Sequence, residues 1–414
     1  MTEKKAADSP ELWRGRKSQS AILLRICAEG CYWRDRAGVP HATIANGESF
    51  GYLEVHSSAF RQWIAKAYFE KCGGAATPSA LNDAVAFAAA KGTFAGDVKD
   101  VFLRVGRDGD EIVIDTCDEA GTLIRVSPLG YAVDSRGRVP FRRAPSAREL
   151  PVPTRGLALG DIRSFVNVAD EDWPLVAGWL VAACRPEGPY PVLFLHGEQG
   201  SGKSTQARIL RALVDPNYAP LRAAPRDLQD LAVCAHNNWV IALDNLSALP
   251  VWLSDALCRL STGGGYGTRA LYANDREVVF NAQRPVLVTG IEDVATRGDL
   301  IDRAIIVHLP AMGERTRRPE SKLWGDFNSA RASLFGALCA AVSAAMANLG
   351  RARIPGTPRL ADFAAWAPRT SRPPGGHLCH LPCPIHGRMG PLGCFYVHRR
   401  AEIRLPIFPG LWGQ

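Results

Sequence analysis

The residues best suited to chemistry lie between Pro191 and Thr205, in the run Pro-Val-Leu-Phe-Leu-His-Gly-Glu-Gln-Gly-Ser-Gly-Lys-Ser-Thr. The spacing Gly197-x-x-x-x-Gly202-Lys203-Ser204 puts glycines where a backbone must curl around an anion with its N–H groups turned inward. Side chains at those positions would block the approach. The apolar run Val192 to Leu195 predicts a buried strand before the loop, and Gln206 to Leu213 has helical spacing after it. A strand, a loop and then a helix aim the positive end of that helix at bound phosphate. Lys203 would neutralise the β- and γ-phosphates of a nucleoside triphosphate, and Ser204 would ligate Mg²⁺. Gly197, Glu198, Gln199, Gly200, Ser201, Gly202, Lys203, Ser204 and Thr205 are therefore read as the binding loop for ATP with Mg²⁺. The bland alternative is a glycine turn that matches by chance.

A second strand, Trp239-Val-Ile-Ala-Leu-Asp244-Asn245, is apolar until it ends in an acid. Such a strand delivers Asp244 to the carboxyl edge of a parallel sheet, next to a metal held at Ser204. Asn245 stands where a hydrolytic ATPase of this type has a Glu to polarise the attacking water. An amide orients water but cannot accept its proton. Either hydrolysis is slow, or another carboxylate such as Asp255 serves, or the protein is a nucleotide-gated switch. Pro285 to Gly290 predicts a third buried strand, whose polar end, Thr289, can sense a γ-phosphate. Arg303, leading into a strand at Ala304 to His308, is a candidate arginine finger for a neighbouring subunit's nucleotide.

These residues need a scaffold, and the flanking sequence supplies its signals. Ser58 to Lys71 and Ser79 to Lys91 are amphipathic helices separated by Gly73-Gly74 and Thr77-Pro78. They form either a helical hairpin or a helix-turn-helix that reads DNA. Short alternating runs at 101–105, 111–115, 122–126 and 131–133 predict a small antiparallel sheet. The segment 136–153, rich in Arg and Pro, is either a solvated linker or an arm lying on phosphates. Asp161 to Ala183 and Trp252 to Leu260 again read as helices. Ser261 to Tyr272 then holds four glycines and two tyrosines. It is either a structural turn or a contact for single-stranded DNA, with Tyr266 or Tyr272 stacking on bases and Arg269 or Arg276 on phosphate. A long apolar face from Phe327 to Met346 and a short helix at Leu360 to Trp366 would form a small helical lid.

Bulk properties narrow the class. The chain of 414 residues is 47% hydrophobic, enough for a multi-domain globular protein. Its formal charge of +8, from 49 basic and 41 acidic residues, favours an anionic partner only weakly. The polar start and the lack of a stretch approaching about 18 apolar residues lead us to expect a cytoplasmic protein without a membrane partner. The 11 cysteines read mostly as reduced core residues; Cys27 and Cys31 are two thiols or half of a metal site. From Ala367 the composition breaks towards Pro, Gly, Cys, His and Arg. That tail is either a zinc knuckle on Cys379, Cys383, Cys394 and His398 or a segment without a selected fold.

In this order, the 197–204 loop, the Asp244 strand, the Ser261-Thr-Gly-Gly-Gly block, the 285–290 strand and Asp302-Arg303 resemble the ATPase core of superfamily 3 helicases within the AAA+ class. Roughly residues 155–370 are similar to ATP-binding proteins of bacterial phages and integrative elements related to primase-helicases. The resemblance implies a ring-forming, homo-oligomeric motor that uses Mg-ATP and acts on DNA, with single-stranded DNA the expected form, during replication of a mobile element. Carried over by position, Lys203 and Ser204 bind nucleotide and metal, Asp244 supports the metal, Thr289 takes the sensor position and Arg303 the finger. Two positions depart from the family pattern, Asn245 for the usual acid and Thr289 for an Asn. The expected fold class is α/β: a P-loop NTPase core of parallel sheet flanked by helices, a mixed α+β N-terminal module and a helical C-terminal lid. The expected divisions are a weakly patterned region at 1–57, a helical pair plus small sheet at 58–154, the ATPase core at 155–312, the lid at 313–366 and the irregular tail at 367–414. The expected function is a DNA helicase or DNA-remodelling motor; the alternative is a regulatory or assembly protein that binds ATP and hydrolyses little.

Overall fold

The computed structural model describes residues 18–46, 49–134, 138–269, 277–290, 297–313 and 318–349, together with Phe363 and Trp366. Contacts divide the chain into two compact units. One holds residues 1–102, 120–122 and 135–142, and the other holds 103–119, 123–134 and 143–414. The candidate zinc ligands Cys379, Cys383, Cys394 and His398 lie outside the described residues.

The first unit contains more regular structure than its sequence suggests. Helix α1 (Gln19–Ala28) is capped by the Ser18 hydroxyl and leads into an antiparallel sheet, β1 (Cys31–Arg34), β2 (Pro40–Asn46) and β3 (Ser49–Glu54). The weak patterning at 1–57 hides these strands, because they are held by cross-strand contacts that leave no period in the sequence. The buried Trp33 stacks on His41 at 4.6 Å between ring centres and donates its indole N–H to Thr43 at 2.9 Å. The two expected helices follow as α2 (Ser58–Cys72) and α3 (Pro78–Ala90), with Ser57 and Thr77 as N-caps. Gly73, at φ 70°, ends α2 in the left-handed conformation that glycine adopts without strain. Ile22, Leu23 and Ile26 pack with Phe60, Ile64, Ala84 and Ala88 in one core, so the apolar faces of the helical pair point inward. Cys27 is buried and Cys31 is exposed. Among the described residues, no group of three His, Cys, Asp or Glu side chains could hold a metal ion.

The second unit carries two sheets. The antiparallel one, β4 (Val105–Asp108), β5 (Glu111–Asp115), β6 (Leu123–Ser127) and β7 (Gly130–Asp134), is paired in chain order. Its first strand begins at Val105, where the expected 101–105 run ends, because Asp108 pairs with Glu111 across a tight turn and draws Gly106 into the ladder. This sheet was expected to group with the helical pair. It packs instead with a 28-residue helix, α9 (Glu320–Ala347), where Ser343 donates to the Ser127 carbonyl at 2.6 Å. By length and apolar composition α9 could cross a membrane, contrary to the expectation from sequence; Phe327, Leu334, Leu338 and Val342 lie buried in this unit's core.

The other sheet is parallel, in the order β13 (Ala304–His308), β8 (Val192–His196), β12 (Val286–Gly290), β9 (Ile241–Leu246). Residue 222 adds a backbone bridge outside β9, with its N–H on Ala242 and its carbonyl on Asp244. Strand alternation feeds two cores. Leu193, Leu195, Leu287 and Val307 face α4 (Trp173–Ala183), α5 (Lys203–Val214) and α9, whereas Val192, Phe194, Leu243 and Val288 face α6 (Leu228–Asn237) and α7 (Val251–Thr262). The single helix expected over 161–183 is a 3₁₀ turn at Leu159–Ser164 followed by α4, which begins at Trp173-Pro174, where proline fits a first turn. Between α7 and β12, β10 (Gly265–Arg269) and β11 (Glu277–Asn281) form an antiparallel hairpin, and a one-turn helix, α8 (Gly298–Ile301), leads into β13.

A buried ionic group joins α5 to β9. Asp215, just past α5, accepts from Arg104 Nε at 3.1 Å and from the N–H groups of Trp239 and Val240 at 3.2 and 3.0 Å, and lies 3.6 Å from Arg211 Nη2. Arg104, Arg211 and Asp215 are 1%, 1% and 4% exposed, so neither cation can turn to water if the carboxylate is lost. We expect Asp215→Ala to cost about 3–5 kcal/mol of stability, because it strands two buried guanidinium groups. Urea unfolding followed by circular dichroism measures this, and a loss below about 1 kcal/mol would show that the arginines find other acceptors.

Candidate functional site

The Gly197–Thr205 loop leaves β8 at the carboxyl edge of the parallel sheet, the edge where open α/β sheets bind ligands. Flanked by β13 and β12, β8 is almost wholly buried, so its end is a fixed point. The loop needs its glycines. Gly200 and Gly202 sit at φ 85° and 81°, in the left-handed region. A Cβ on Gly197 would come 3.0 Å from the Leu309 carbonyl oxygen, and one on Gly202 would come 2.9 Å from the Met312 methyl. Helix α5 starts at Lys203, so the N–H groups of its first turn open onto the loop. Lys203 Nζ donates to the carbonyls of Gly197 at 2.6 Å and Glu198 at 2.8 Å. Its pKa is lowered by burial, against the pull of Asp244. Glu198, Gln199 and Gly200 are exposed, and Thr205 is half-buried.

Asp244 and Thr289, read from sequence as separate strand ends, converge with Ser204. Asp244 Oδ1 accepts from the Ser204 hydroxyl at 2.8 Å and from the Thr289 hydroxyl at 2.6 Å. Thr289 in turn accepts the Asn245 N–H at 2.8 Å. This arrangement rests on a bulge: Val288 pairs with Leu243 but Gly290 pairs with Leu246, so β9 spends an extra residue at Asp244-Asn245. Asn245 takes up the irregularity at φ 56°, a conformation that Asn tolerates better than most residues. The residue noted in the sequence for its missing acid thus has a backbone role. Nothing in the period of 239–245 reveals the bulge, because bulges depend on the partner strand.

Other sequence candidates lie elsewhere. The Arg303 carbonyl accepts from the Val192 N–H, at the amino end of β8, and its guanidinium pairs with Asp299. It therefore stands at the sheet edge opposite its own loop. Asp255 pairs with Arg297 at 3.1 Å, away from the Asp244–Ser204–Thr289 group. Tyr266 and Arg269 fall on β10, with Arg269 paired to Glu277 in the backbone register. Tyr272 and Arg276 lie outside the described residues. Sequence reasoning missed Asn167, whose side-chain amide reaches the loop carbonyl of Ser201; a lone Asn before a helix carries no signal of such a contact.

A family model described as actinomycete integrative conjugative element replication protein matches residues 159–371, just over half of the chain and all of the loop and strand ends described above. The chain belongs to this family. Among curated proteins nothing matches. Among solved structures, the apo C-terminal region of NrS-1 is 12% identical over 78% of this chain and 70% of that one, with a TM-score of 0.45. SCCmec type IV Cch, described as an active helicase, is 13% identical over 82% of this chain and 69% of that one, with a TM-score of 0.42. This member of the replication-protein family has a mixed α/β fold built on a parallel sheet with helices on both faces.

The bulge yields a stability test. We expect Asn245→Gly to change stability by less than about 0.5 kcal/mol, whereas Asn245→Val, β-branched in a left-handed position, costs about 1–2 kcal/mol. Thermal unfolding of the two variants measures the difference; equal stabilities would place the strain elsewhere.

Proposed function

We propose that this replication protein is an ATP-binding, ATP-hydrolysing DNA helicase or DNA-remodelling motor. The observation that carries the reading is the 2.8 Å contact between Ser204 and Asp244 beneath a glycine loop at the carboxyl edge of the sheet. The donor set fits the group it would hold. Ser204 and Asp244 offer the hard oxygens that Mg²⁺ takes, and the left-handed Gly200 and Gly202 let the loop backbone curl as an anion-binding loop requires. Mg-ATP, when bound, supplies a phosphoanhydride whose cleavage releases free energy.

The chain's own residues would act as follows. Lys203 gives up the Gly197 and Glu198 carbonyls for the β- and γ-phosphates, and the N–H groups at the start of α5 cradle the anion. Ser204 and Asp244, the latter held by Thr289, would hold the metal, which would supply positive charge beside the phosphates. Asn245 orients the attacking water without removing its proton. Arg303, opposite its own loop, serves as a finger only towards a neighbouring subunit, which fits a homo-oligomeric ring. The β10–β11 hairpin, with Tyr266, Arg269, Tyr272 and Arg276, is the proposed contact for single-stranded DNA. Helix α9, tied to α5 by Arg208 and Glu320, is the proposed lid over the nucleotide. In this reading the functional divisions are the core at 155–312 and the lid at 313–366.

Asn245 also favours a second reading, a nucleotide-gated assembly protein with little turnover. Steady-state ATPase with and without single-stranded DNA separates the two. We expect several-fold stimulation by DNA; a folded protein that binds ATP but shows neither stimulation nor unwinding would support the gated protein. Lys203→Ala should weaken nucleotide binding at least about a hundredfold, the loss of a charge-assisted contact to phosphate. Retained binding would remove the site. Asn245→Glu, once shown to be folded despite its left-handed backbone, should raise turnover if a missing carboxylate limits hydrolysis.

A further inference from the structure

Asn167 sits between the 3₁₀ turn and α4, with Val166 and Val168 on either side packed into the core, so its backbone is a fixed platform. Its Nδ2 lies 2.6 Å from the Pro310 carbonyl oxygen and 3.4 Å from that of Ser201. Both partners can only accept, so the group facing them is the NH₂. The Ser201 carbonyl receives a second donor, Gln206 Nε2 at 3.1 Å, and Ser201 and Gln206 are buried. The segment that Asn167 grips at Pro310 lies along the loop. Leu309 donates its N–H to the His196 carbonyl at 2.7 Å, and its own carbonyl and the Met312 methyl limit the space at Gly197 and Gly202.

A planar trans peptide couples these contacts to the anion site. Holding the Ser201 carbonyl towards Asn167 and Gln206 turns the N–H of Gly202, on the other side of that peptide, the opposite way. That N–H is the donor at the mouth of α5. We propose that Asn167 is a positioning residue that sets the Gly202 N–H for the phosphates of the nucleotide, an inference that rests on the nucleotide-binding reading above. Asn167 need not touch the nucleotide; it acts through one peptide plane.

The test compares Asn167→Asp with Asn167→Ala in the full chain, by titration with a fluorescent ADP analogue in the presence of Mg²⁺. Asp keeps the shape of Asn but turns an acceptor on two carbonyls, so a donor role makes Asp the worse variant and a packing role makes it the milder one. We expect Asn167→Ala to raise Kd about tenfold, the worth of roughly one hydrogen bond, and Asn167→Asp to raise it further. Asn167→Ser, which restores a donor, should recover part of the loss and also serves if the Asp variant does not fold. Folded Ala and Asp variants with Kd within twofold of wild type would overturn the proposal, as would an Asp variant that binds more tightly than the Ala variant. Wild-type protein that binds no nucleotide would instead remove the reading on which the proposal rests.

Discussion

One carboxylate oxygen organises the site. Asp244 Oδ1 receives hydroxyls from Ser204, in the first turn of α5, and from Thr289, at the end of β12. These groups come from three places in the chain, and their convergence requires the parallel strands β9 and β12 to end at the level where α5 begins. The β9 bulge provides the last adjustment. The extra residue at Asp244-Asn245 puts β9 out of step with β12 beyond Leu243, and Asn245 takes it up in a left-handed conformation. Thr289 holds both sides of that irregularity, donating to the carboxylate and accepting the N–H of the residue after it.

A second constraint lies at the far ends of the same elements. Asp215 follows the last turn of α5 and accepts the N–H groups of Trp239 and Val240 at the entry to β9, while Arg104 and Arg211 neutralise it in the interior. The helix that begins at the loop and the strand that ends at Asp244 are thus joined at one end through a buried carboxylate and at the other through Ser204. Buried ion pairs gain little net stability over apolar packing, but they are selective about geometry, since any shift leaves a charge unmatched. Here that selectivity fixes α5 against β9.

The loop side of the site is built differently, from backbone. Gly200 and Gly202 adopt left-handed angles, Lys203 rests on two loop carbonyls, and Asn167 and Gln206 grip the Ser201 carbonyl from outside. A loop held by its carbonyls on one side presents its N–H groups on the other. The site thus divides into an acidic strand edge and an N–H-rich loop, the complementarity on which the proposed metal–nucleotide reading rests.

The sequence by itself determined the strand-loop-helix at 191–214, the apolar strands at 241–246, 286–290 and 304–308, and the helical pair at 58–90, because periodicity, glycine spacing and capping residues are local properties. It also marked Lys203, Ser204, Asp244 and Thr289 as candidates, and the fold brings the last three together through hydrogen bonds. The tertiary structure decided the rest. The strands of the first unit, the start of β4 at Val105, the packing of the small sheet on α9, the left-handed Asn245 and the reach of Asn167 all depend on partners distant in the chain. The reading of Asn245 changed most. From sequence it was the absence of an acid; in the fold it is the residue whose backbone lets a strand take an extra step, and that role exists only where a second strand sets the register.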